Sequence, residues 1–295
     1  MTSFFPSVCK PVVAALAALV LTASGALAAS EGNPEAKRIV SIGGTITEIL
    51  HALGAQDRIV AVDSTSTYPA DATSKPDIGY MRALSAEGIL SQQPDLILAE
   101  EGSGPPPVLE ILTASEIPVV MIATPPDGAA IGTKIRDVGN AVGLADEAEA
   151  LAARTDAEIN RLVGEIAAIG GERKRVLFVL SLSNGRVMAG GVDTEAAALI
   201  EMAGGINAAP EISGYKPLSD EAVIAAQPDV ILTMSRGNHE ISPEQVFGLP
   251  ALQTTSAAAE QALISMNGLL LLGFGPRTPE AIRTLADTLY PGALK

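Results

Sequence analysis

Cysteine is almost absent from this 295-residue chain, in which Cys9 is the only one. Lys10, the apolar run 11–22 and the small residues Ala-Leu-Ala at 26–28 together are typical of a secretory signal peptide. We therefore expect residues 1–28 to be removed on export, and Cys9 to be removed with them. Cys9 precedes the apolar run, so it does not occupy the position of a lipoprotein cysteine. The sequence predicts a mature periplasmic protein without disulfide bonds or thiolate metal sites.

Aromatic residues and positive charge are also scarce. Tryptophan is absent, aromatic residues make up 3% of the chain and hydrophobic residues 47%, so the core must be aliphatic. The formal net charge is −15, and such a surface repels nucleic acids and anionic lipid headgroups. The apolar run near the N-terminus is shorter than a membrane span. We expect no nucleic-acid partner and no membrane insertion after signal cleavage.

Familiar catalytic motifs are missing. The sequence contains no Gly-x-Ser-x-Gly, no His-Glu-x-x-His and no glycine-rich phosphate loop before a helix. Its two histidines are His51 and His239, and without cysteine a zinc site made of protein alone is poorly supplied with ligands. We predict a binding protein that is not an enzyme. An exported enzyme remains the alternative of a different class.

One unit of sequence occurs twice in the chain. Segments 79–98 and 214–232 both contain Gly-Tyr, then Leu-Ser-x-Glu, then Gln-Pro-Asp, then an aliphatic run. Gly-Gly-x-x-Thr-Glu occurs at 43–48 and again at 190–195. A repeated unit predicts lobes of similar build. Alternating strand and helix patterns predict an α/β fold in which each lobe has a mostly parallel sheet flanked by helices.

A long helix is predicted between the two repeats. From Leu144 to Ile169 apolar residues recur at helical spacing and no proline interrupts them, which indicates an amphipathic helix. We interpret it as a rigid linker. The predicted organisation is a first lobe over 29–142, the linker over 143–170 and a second lobe over 171–295.

Helix ends and the glycine pairs give local predictions. Thr45 followed three residues later by Glu48 resembles a capping box at a helix start, and Thr278 is predicted to cap the last helix. The pair Gly43-Gly44 has two interpretations. It permits a ligand to approach the backbone closely, or it only permits a tight turn from strand to helix.

The candidate site lies between the lobes. Ligands of open parallel sheets bind at the carboxyl ends of the strands, and two facing lobes form a cleft there. Tyr80 and Tyr215 occupy equivalent positions in the repeats, so both should border the cleft. If the backbone is extended, Arg82 points to the same side as Tyr80, and a guanidinium near a phenol favours the phenolate, a ligand for ferric iron. The alternative is that Tyr80 packs within a loop and Arg82 is solvated.

Three segments carry a resemblance to a known family. Gly-Tyr-Met-Arg-x-Leu-Ser-x-Glu-Gly at 79–88, Gly-Tyr-Lys-Pro-Leu-Ser-x-Glu at 214–221 and Leu-Leu-Leu-Leu-Gly-Phe-Gly-Pro-Arg at 269–277 resemble periplasmic haem-binding proteins of bacterial ABC importers. The resemblance covers essentially the whole mature chain. It implies that Tyr80 coordinates the iron of haem b, the transported ligand, and that Arg82 supports it. Siderophore- or corrinoid-binding relatives share the shape and remain alternatives, as does a haem store without a permease.

Further groups are candidates from the second lobe. His239 and Arg236 lie in one polar loop; we expect Arg236 to pair with a haem propionate and His239 to be an axial ligand or a group beside the haem. Tyr215 is a candidate support for the ligand. His51 lies within a predicted helix and is interpreted as structural. The number of haems and the group on the face opposite Tyr80 stay open.

Glu87 and Glu221 are the equivalent acids of the repeat. The resemblance implies that they dock onto arginines of an ABC permease dimer in the inner membrane, which works with its ATPase. A rigid linker would hold the two acids at a fixed separation, which suits a symmetric partner. The alternative is that each is an exposed acid in the first turn of a helix, where it is favourable to the helix dipole.

Overall fold

The structure, a computed structural model, describes residues 1–2, 32–183, 185–237 and 240–294. The predicted signal peptide therefore falls almost entirely outside the described residues, and it stays a prediction. Within the described ranges no helix combines the length and apolarity needed to cross a membrane.

The first lobe is built on a four-stranded, fully parallel sheet. Its strands are short aliphatic runs, mostly buried, as expected for a parallel sheet covered on both faces. The strands, in the spatial order β2-β1-β3-β4, are β1 (Ile39–Ile42), β2 (Ile59–Val62), β3 (Leu96–Glu100) and β4 (Val119–Ile122). The helices are α1 (Gly44–Ala52), α2 (Ala86–Leu90), α3 (Pro106–Thr113) and α4 (Ile131–Ala141).

A single long helix, α5 (Ala145–Ala167), follows the first lobe. Its buried residues recur every three or four positions, which gives one continuous apolar stripe. They are Ala148, Ala152, Thr155, Ile159, Leu162 and Ile166. The stripe packs against α4 of the first lobe and against the last helix of the chain. The helix predicted between the repeats is therefore present, one or two residues shorter at each end.

The second lobe repeats the same sheet and adds to it. Its strands are β5 (Arg175–Ser183), β6 (Arg186–Gly190), β7 (Ile206–Asn207), β8 (Tyr215–Pro217), β9 (Val230–Ser235) and β10 (Leu263–Asn267). Its helices are α6 (Glu195–Met202), α7 (Asp220–Ala226), α8 (Pro243–Phe247), α9 (Pro250–Gln253), α10 (Ser256–Ala259), α11 (Gly268–Leu272) and α12 (Thr278–Leu289).

The strand order shows how the lobes correspond. The parallel set β7-β5-β9-β10 has the same order as β2-β1-β3-β4. The additions are β6, antiparallel to β5, and β8, antiparallel to β6. The predicted fold class is confirmed: two similar α/β lobes with mostly parallel sheets, joined by one long helix.

One hydrophobic cluster runs through both lobes. It includes Ile46 of α1, Ile159 of α5, Phe178 of β5 and Leu285 of α12. Two smaller clusters lie on the other face of each sheet, one in each lobe. Alternate residues of each strand point to opposite faces, so each sheet contributes one face to the shared cluster. The two lobes are therefore packed onto a common core.

The repeated Gln-Pro-Asp has a structural explanation. The Asp95 carboxylate accepts hydrogen bonds from the backbone N–H groups of Lys37 and Arg38, both at 2.8 Å. In the second lobe the Asp229 carboxylate accepts one from the N–H of Arg175, also at 2.8 Å. Each aspartate thus fixes the start of the first strand of its lobe to the start of the neighbouring strand.

The repeated Leu-Ser-x-Glu begins a helix in each lobe. The Ser85 hydroxyl accepts from the N–H of Gly88 at 3.3 Å, and the Ser219 hydroxyl accepts from the N–H of Ala222 at 3.2 Å. These are N-cap hydrogen bonds of α2 and α7, and they satisfy N–H groups that the helix leaves free. The same local chemistry therefore places Glu87 and Glu221 in the first turn of equivalent helices.

The predicted capping box at the start of α1 is wrong. The N-cap is Gly43, and no side chain makes a cap hydrogen bond. The Thr45 hydroxyl instead donates to the carbonyl oxygen of Gly273 at 2.7 Å, and the Glu48 carboxylate binds Arg277. Both side chains are used for contacts between the lobes, which sequence spacing alone does not reveal.

The predicted cap of the last helix is also wrong. Thr278 lies inside α12, and Arg277 occupies the N-cap position without a side-chain cap. The Thr278 hydroxyl is buried and has no hydrogen-bond partner among the described residues.

Candidate ligand-binding site

A cavity of about 580 Å³ lies between the lobes. Its lining comes from the carboxyl ends of strands in both sheets, where ligands of such sheets bind. Lining residues at or just after strand ends are Thr65, Glu100, Glu101, Thr124, Met234, Ser235 and Asn267. Apolar side chains from the second lobe complete the wall, among them Leu180, Leu269, Leu272 and Phe274.

The glycine pair at the start of α1 serves a tight turn. Gly43 has φ 110°, and a Cβ there would lie 2.4 Å from Cγ of Glu100. A Cβ on Gly44 would lie 2.5 Å from the carbonyl oxygen of Thr65. Their N–H groups donate to side chains of Asp63 and Thr65, each at 2.9 Å. Gly44 borders the cavity, but these two N–H groups already have partners within the protein.

Tyr80 lies at the exposed end of the cavity, with 38% of its surface accessible. Its carbonyl oxygen accepts from the N–H of Ala83 at 2.7 Å, so the chain turns here and is not extended as the spacing argument assumed. Arg82 is exposed and lines the same cavity. It makes no hydrogen bond or ion pair with any residue that the structure describes, so its charge is free to meet a ligand.

The cation next to the Tyr80 ring comes from the other lobe. The guanidinium of Arg236 lies 5.1 Å from the ring centroid, within cation–π range. Its Nη2 donates to the hydroxyl of Ser64 in the first lobe at 3.1 Å. We call Tyr80, Arg82 and Arg236 the mouth of the cavity. His239, in the same loop as Arg236, lies outside the described residues.

Tyr215 lines the same cavity in a different setting. It is half-buried in β8, and its hydroxyl donates to Oε2 of Glu195 at 3.1 Å. Its ring meets the Phe178 ring edge-on, with centroids 6.2 Å apart. Burial, and next the negative charge of Glu195, raise the pKa of the Tyr215 phenol. Tyr215 therefore stays protonated as a hydrogen-bond donor to Glu195.

The cavity is also lined by charged residues that sequence reasoning missed, and these are less exposed than the arginines of the mouth. We call Glu100, Lys134, Glu195 and Gly273 the floor; all four line the cavity. Lys134 is only 4% exposed, and its Nζ donates to the carbonyl oxygen of Gly273 at 3.1 Å. Oε1 of Glu100 is buried and has no partner among the described residues.

Burial dominates the ionisation of the floor. It raises the pKa of the Glu100 carboxyl, against the opposing attraction of Lys134. It lowers the pKa of Lys134, against the opposing attraction of Glu100 and then Glu195. In the sequence, Lys134 is one lysine in a helix and Glu100 one acid at a strand end, so no local pattern marked them.

A charged contact joins the lobes beside the cavity. Nε and Nη2 of Arg277 donate to Oε2 of Glu48 at 3.0 and 2.8 Å, and the N–H of Arg277 donates to Oε1 at 3.2 Å. The Arg277 guanidinium also lies 3.5 Å from the ring centroid of Tyr68. Burial raises the pKa of Glu48, and Arg277 opposes that shift. We call the Glu48–Arg277 pair the interlobe bridge.

The remaining sequence candidates lie away from the cavity. Glu87 and Glu221 are exposed in the first turns of α2 and α7. His51, near the end of α1, does not line the cavity; its Nε2 is buried and unpartnered within the described part of the chain. Burial, and next Lys75, lower the pKa of His51. In the described residues no cluster of three or more histidine, cysteine, aspartate or glutamate side chains is arranged to hold a metal ion.

The two facing lobes, the single linking helix and the cavity between them define a substrate-binding protein. The model of the periplasmic binding protein family matches residues 39–268, and the chain belongs to that family. Proteins of this kind bind a substrate for transport, and the related proteins function outside the cytoplasm.

Two of the similar solved structures are of proteins that bind different ligands. The periplasmic heme-binding protein RhuT from Roseiflexus sp. RS-1, in apo form, is 40% identical with a TM-score of 0.83, over 87% of this chain and 99% of that one. The vitamin B12-binding protein BtuF of Vibrio cholerae is 25% identical with a TM-score of 0.72, over 86% of this chain and 96% of that one.

A third relative indicates the transport system. An uncharacterised ABC transporter substrate-binding lipoprotein, YvrC of Bacillus subtilis (strain 168), is 25% identical over 88% of this chain and 82% of its own. The predicted resemblance is confirmed at the level of the family and of heme-binding neighbours. Substrate-binding proteins of ABC transporters work with a permease and an ATPase.

Proposed function

We propose that the protein captures haem b in the periplasm and delivers it to an ABC permease dimer of the inner membrane. The observation that carries the proposal is the position of Tyr80. Its phenol reaches the cavity at the exposed mouth, where an iron porphyrin can approach it. A tyrosine oxygen is an established ligand of haem iron.

The charges of the mouth support the same ligand. Haem b carries two propionates on one edge of its ring, and Arg82 and Arg236 are exposed cations beside Tyr80. Arginine binds carboxylates well because its guanidinium presents several donors in a planar fork. In this proposal Arg82 and Arg236 hold the propionates, Arg236 moves off the Tyr80 ring when haem binds, and His239 is a further candidate beside the haem.

A corrinoid is the second candidate, because a vitamin B12-binding protein is among the relatives. The size of the cavity favours haem. A volume of about 580 Å³ lies in the ordinary range for small-molecule sites. Cobalamin carries a nucleotide loop and a ring of amide groups beyond its macrocycle and needs considerably more room than haem.

The chain's organisation fits delivery to a permease. We propose that residues 1–28 direct export, that the lobes comprise 29–142 and 171–295, and that 143–170 links them. Glu87 and Glu221 then lie at equivalent helix starts in the two lobes and dock onto the permease.

A hemin titration tests the proposed ligand. We expect the wild-type protein to develop a ferric tyrosinate spectrum, and Tyr80→Phe to lose it and to bind hemin about tenfold or more weaker, because an iron ligand is gone. Tyr215→Phe is the matched control and should keep the spectrum. A tyrosinate spectrum that survives in Tyr80→Phe, or tight cobalamin binding without hemin binding, would contradict the proposal.

A further inference from the structure

The two ends of the cavity differ in charge. At the mouth, Arg82 and Arg236 are exposed and border the cavity beside Tyr80. One exposed acid, Glu101, also borders it, on the first lobe just after β3. The mouth therefore offers two cations to a ligand carboxylate.

The floor offers acceptor oxygens instead. Oε1 of Glu100 is buried without a partner among the described residues. Oε2 of Glu195 accepts the hydrogen bond that the Tyr215 hydroxyl donates, so the O–H of Tyr215 is not available to a ligand. Both carboxyl groups line the cavity. A ligand carboxylate placed beside these two groups would be a further buried acceptor, and a buried acceptor that finds no donor loses its hydrogen bonds to water without replacement.

The one lysine of the floor is already engaged. Lys134 donates to the carbonyl oxygen of Gly273 at 3.1 Å and is 4% exposed. Its charge interacts with Glu100, Glu195 and Glu48, in that order of strength. Its single positive charge is shared between two carboxyl groups of the floor, Glu100 and Glu195, so the floor contains more acids than cations.

A ligand carboxylate at the floor would thus be removed from water next to acceptors and acids. Burying a charge without a partner is costly. Burial already disfavours the charged form of Glu100, and a ligand carboxylate would be one more acid competing with Glu100 and Glu195 for a single lysine. Apolar groups meet no such penalty, because Leu180, Leu272 and Phe274 line the same cavity.

We propose that Glu195 and Glu100 exclude ligand carboxylates from the floor, so that the cleft selects iron porphyrins whose carboxylates lie along one edge. This inference rests on the proposed haem-binding function and adds an orientation to it. The propionate edge of haem b faces the mouth, and the edge that carries methyl and vinyl groups faces the floor. Iron porphyrins with carboxylates on all sides are rejected.

The test compares hemin with iron coproporphyrin III, which carries a propionate on each pyrrole ring. Dissociation constants are measured for the wild type, Glu195→Gln, Glu100→Gln and the double variant. We expect the wild type to prefer hemin by about tenfold or more, and the double variant to reduce this preference by about tenfold, because neutral amides remove the repulsion and can donate.

The variants separate charge from shape. Glutamine has nearly the size of glutamate, so a preference that only reflects the bulk of coproporphyrin will not change in the double variant. Glu110→Gln, an exposed acid on α3 outside the cavity lining, is the matched control for net charge and should leave the preference intact. Thermal unfolding of each variant shows whether it is folded.

Three outcomes would overturn the inference. Equal wild-type affinity for the two porphyrins would do so, as would an unchanged preference in the double variant, or an equal change in Glu110→Gln. These are distinct from failure of the proposed function, in which the wild type shows no tyrosinate spectrum with hemin at all.

Discussion

Tyr80 and Tyr215 occupy equivalent places in the two copies of the repeat, yet their surroundings differ. Tyr80 is 38% exposed at the mouth, with the Arg236 guanidinium over its ring. Tyr215 is half-buried, and its hydroxyl is bonded to Glu195. The cause is the inserted strand β6. In the first lobe β1 leads directly into α1, whereas in the second lobe β6 intervenes and pairs Gly190 with Tyr215.

The comparison separates what the repeat keeps from what it changes. Asp95 and Asp229 fix strand starts in the same way, and Ser85 and Ser219 begin equivalent helices in the same way. The groups that meet the ligand are not alike in the two lobes. A duplicated scaffold therefore supports a cleft with different walls, and in our proposal one wall supplies the iron ligand.

The largest expected effect is on haem uptake, through Glu87 and Glu221, the equivalent acids of the two lobes. We predict that Glu87→Ala combined with Glu221→Ala abolishes haem uptake into vesicles carrying the permease and ATPase, because in our proposal these two charges dock onto the permease. Hemin affinity should not change. Glu110→Ala with Glu260→Ala, two exposed acids elsewhere, is the control pair. Normal uptake by the docking variant would show that these acids only support their helices.

The second prediction concerns how strongly the interlobe bridge holds the two lobes together. Arg277→Leu leaves Glu48 buried without its partner, and we expect a loss of about 3–5 kcal/mol in the free energy of unfolding at neutral pH. The loss should shrink in mild acid, because protonation of Glu48 removes the buried charge. Denaturant titration at both pH values measures it. Arg161→Ala removes an exposed ion pair and should cost less than about 1 kcal/mol.

The repeated aspartates test whether the same motif stabilises both lobes to a similar extent. Asp95→Ala and Asp229→Ala should each lower the free energy of unfolding by about 1–3 kcal/mol, because the first removes two charge-assisted hydrogen bonds to backbone N–H groups and the second removes one. Denaturant unfolding measures both. Asp57→Ala, at an exposed acid, is the control and should have little effect. A large loss in the free energy of unfolding for only one of the two variants would show that the repeated motif stabilises only that lobe.

The smallest expected effect is the alkaline titration of Tyr215. Because the pKa of its phenol is raised in the folded protein, the unfolded chain loses this proton first, near pH 10. The stability that depends on the protonated phenol is present below that pH and is lost as the pH rises further. The free energy of unfolding, measured from neutral to alkaline pH, should decline less in Tyr215→Phe than in the wild type. An identical decline would indicate that the phenol is not held as described.

Much of the fold could be predicted from the sequence, for physical reasons. Aliphatic runs, the uninterrupted pattern that became α5 and the repeat itself are local signals, and each reports a period or a motif. The paired β6 and β8 were not predicted, since antiparallel additions follow from long-range pairing. The capping box predicted from Thr45 and Glu48 was wrong for the same reason. Their spacing is that of a cap, but their actual partners, Gly273 and Arg277, lie in the other lobe.

The site could be predicted only in part. Tyr80 and Tyr215 were singled out because the repeat marked them, and Arg82 because it lies two residues after Tyr80. The structure brings these three together with Arg236 at one cavity. Lys134 and Glu100 carried no such mark. Their importance arises from burial and from proximity in space, which depend on how α4 packs against α1 and β4. For the same reason, no sequence pattern revealed that Arg236 contacts the Tyr80 ring.

The shared hydrophobic cluster has a consequence for how the chain folds. Side chains of α1, α5 and α12 bury one another across the lobe boundary, so a fragment that ends within the linker would expose an apolar surface to water. Heating should therefore melt the molecule as one cooperative unit. A lobe expressed alone should aggregate or stay unfolded, however well its own sheet is formed.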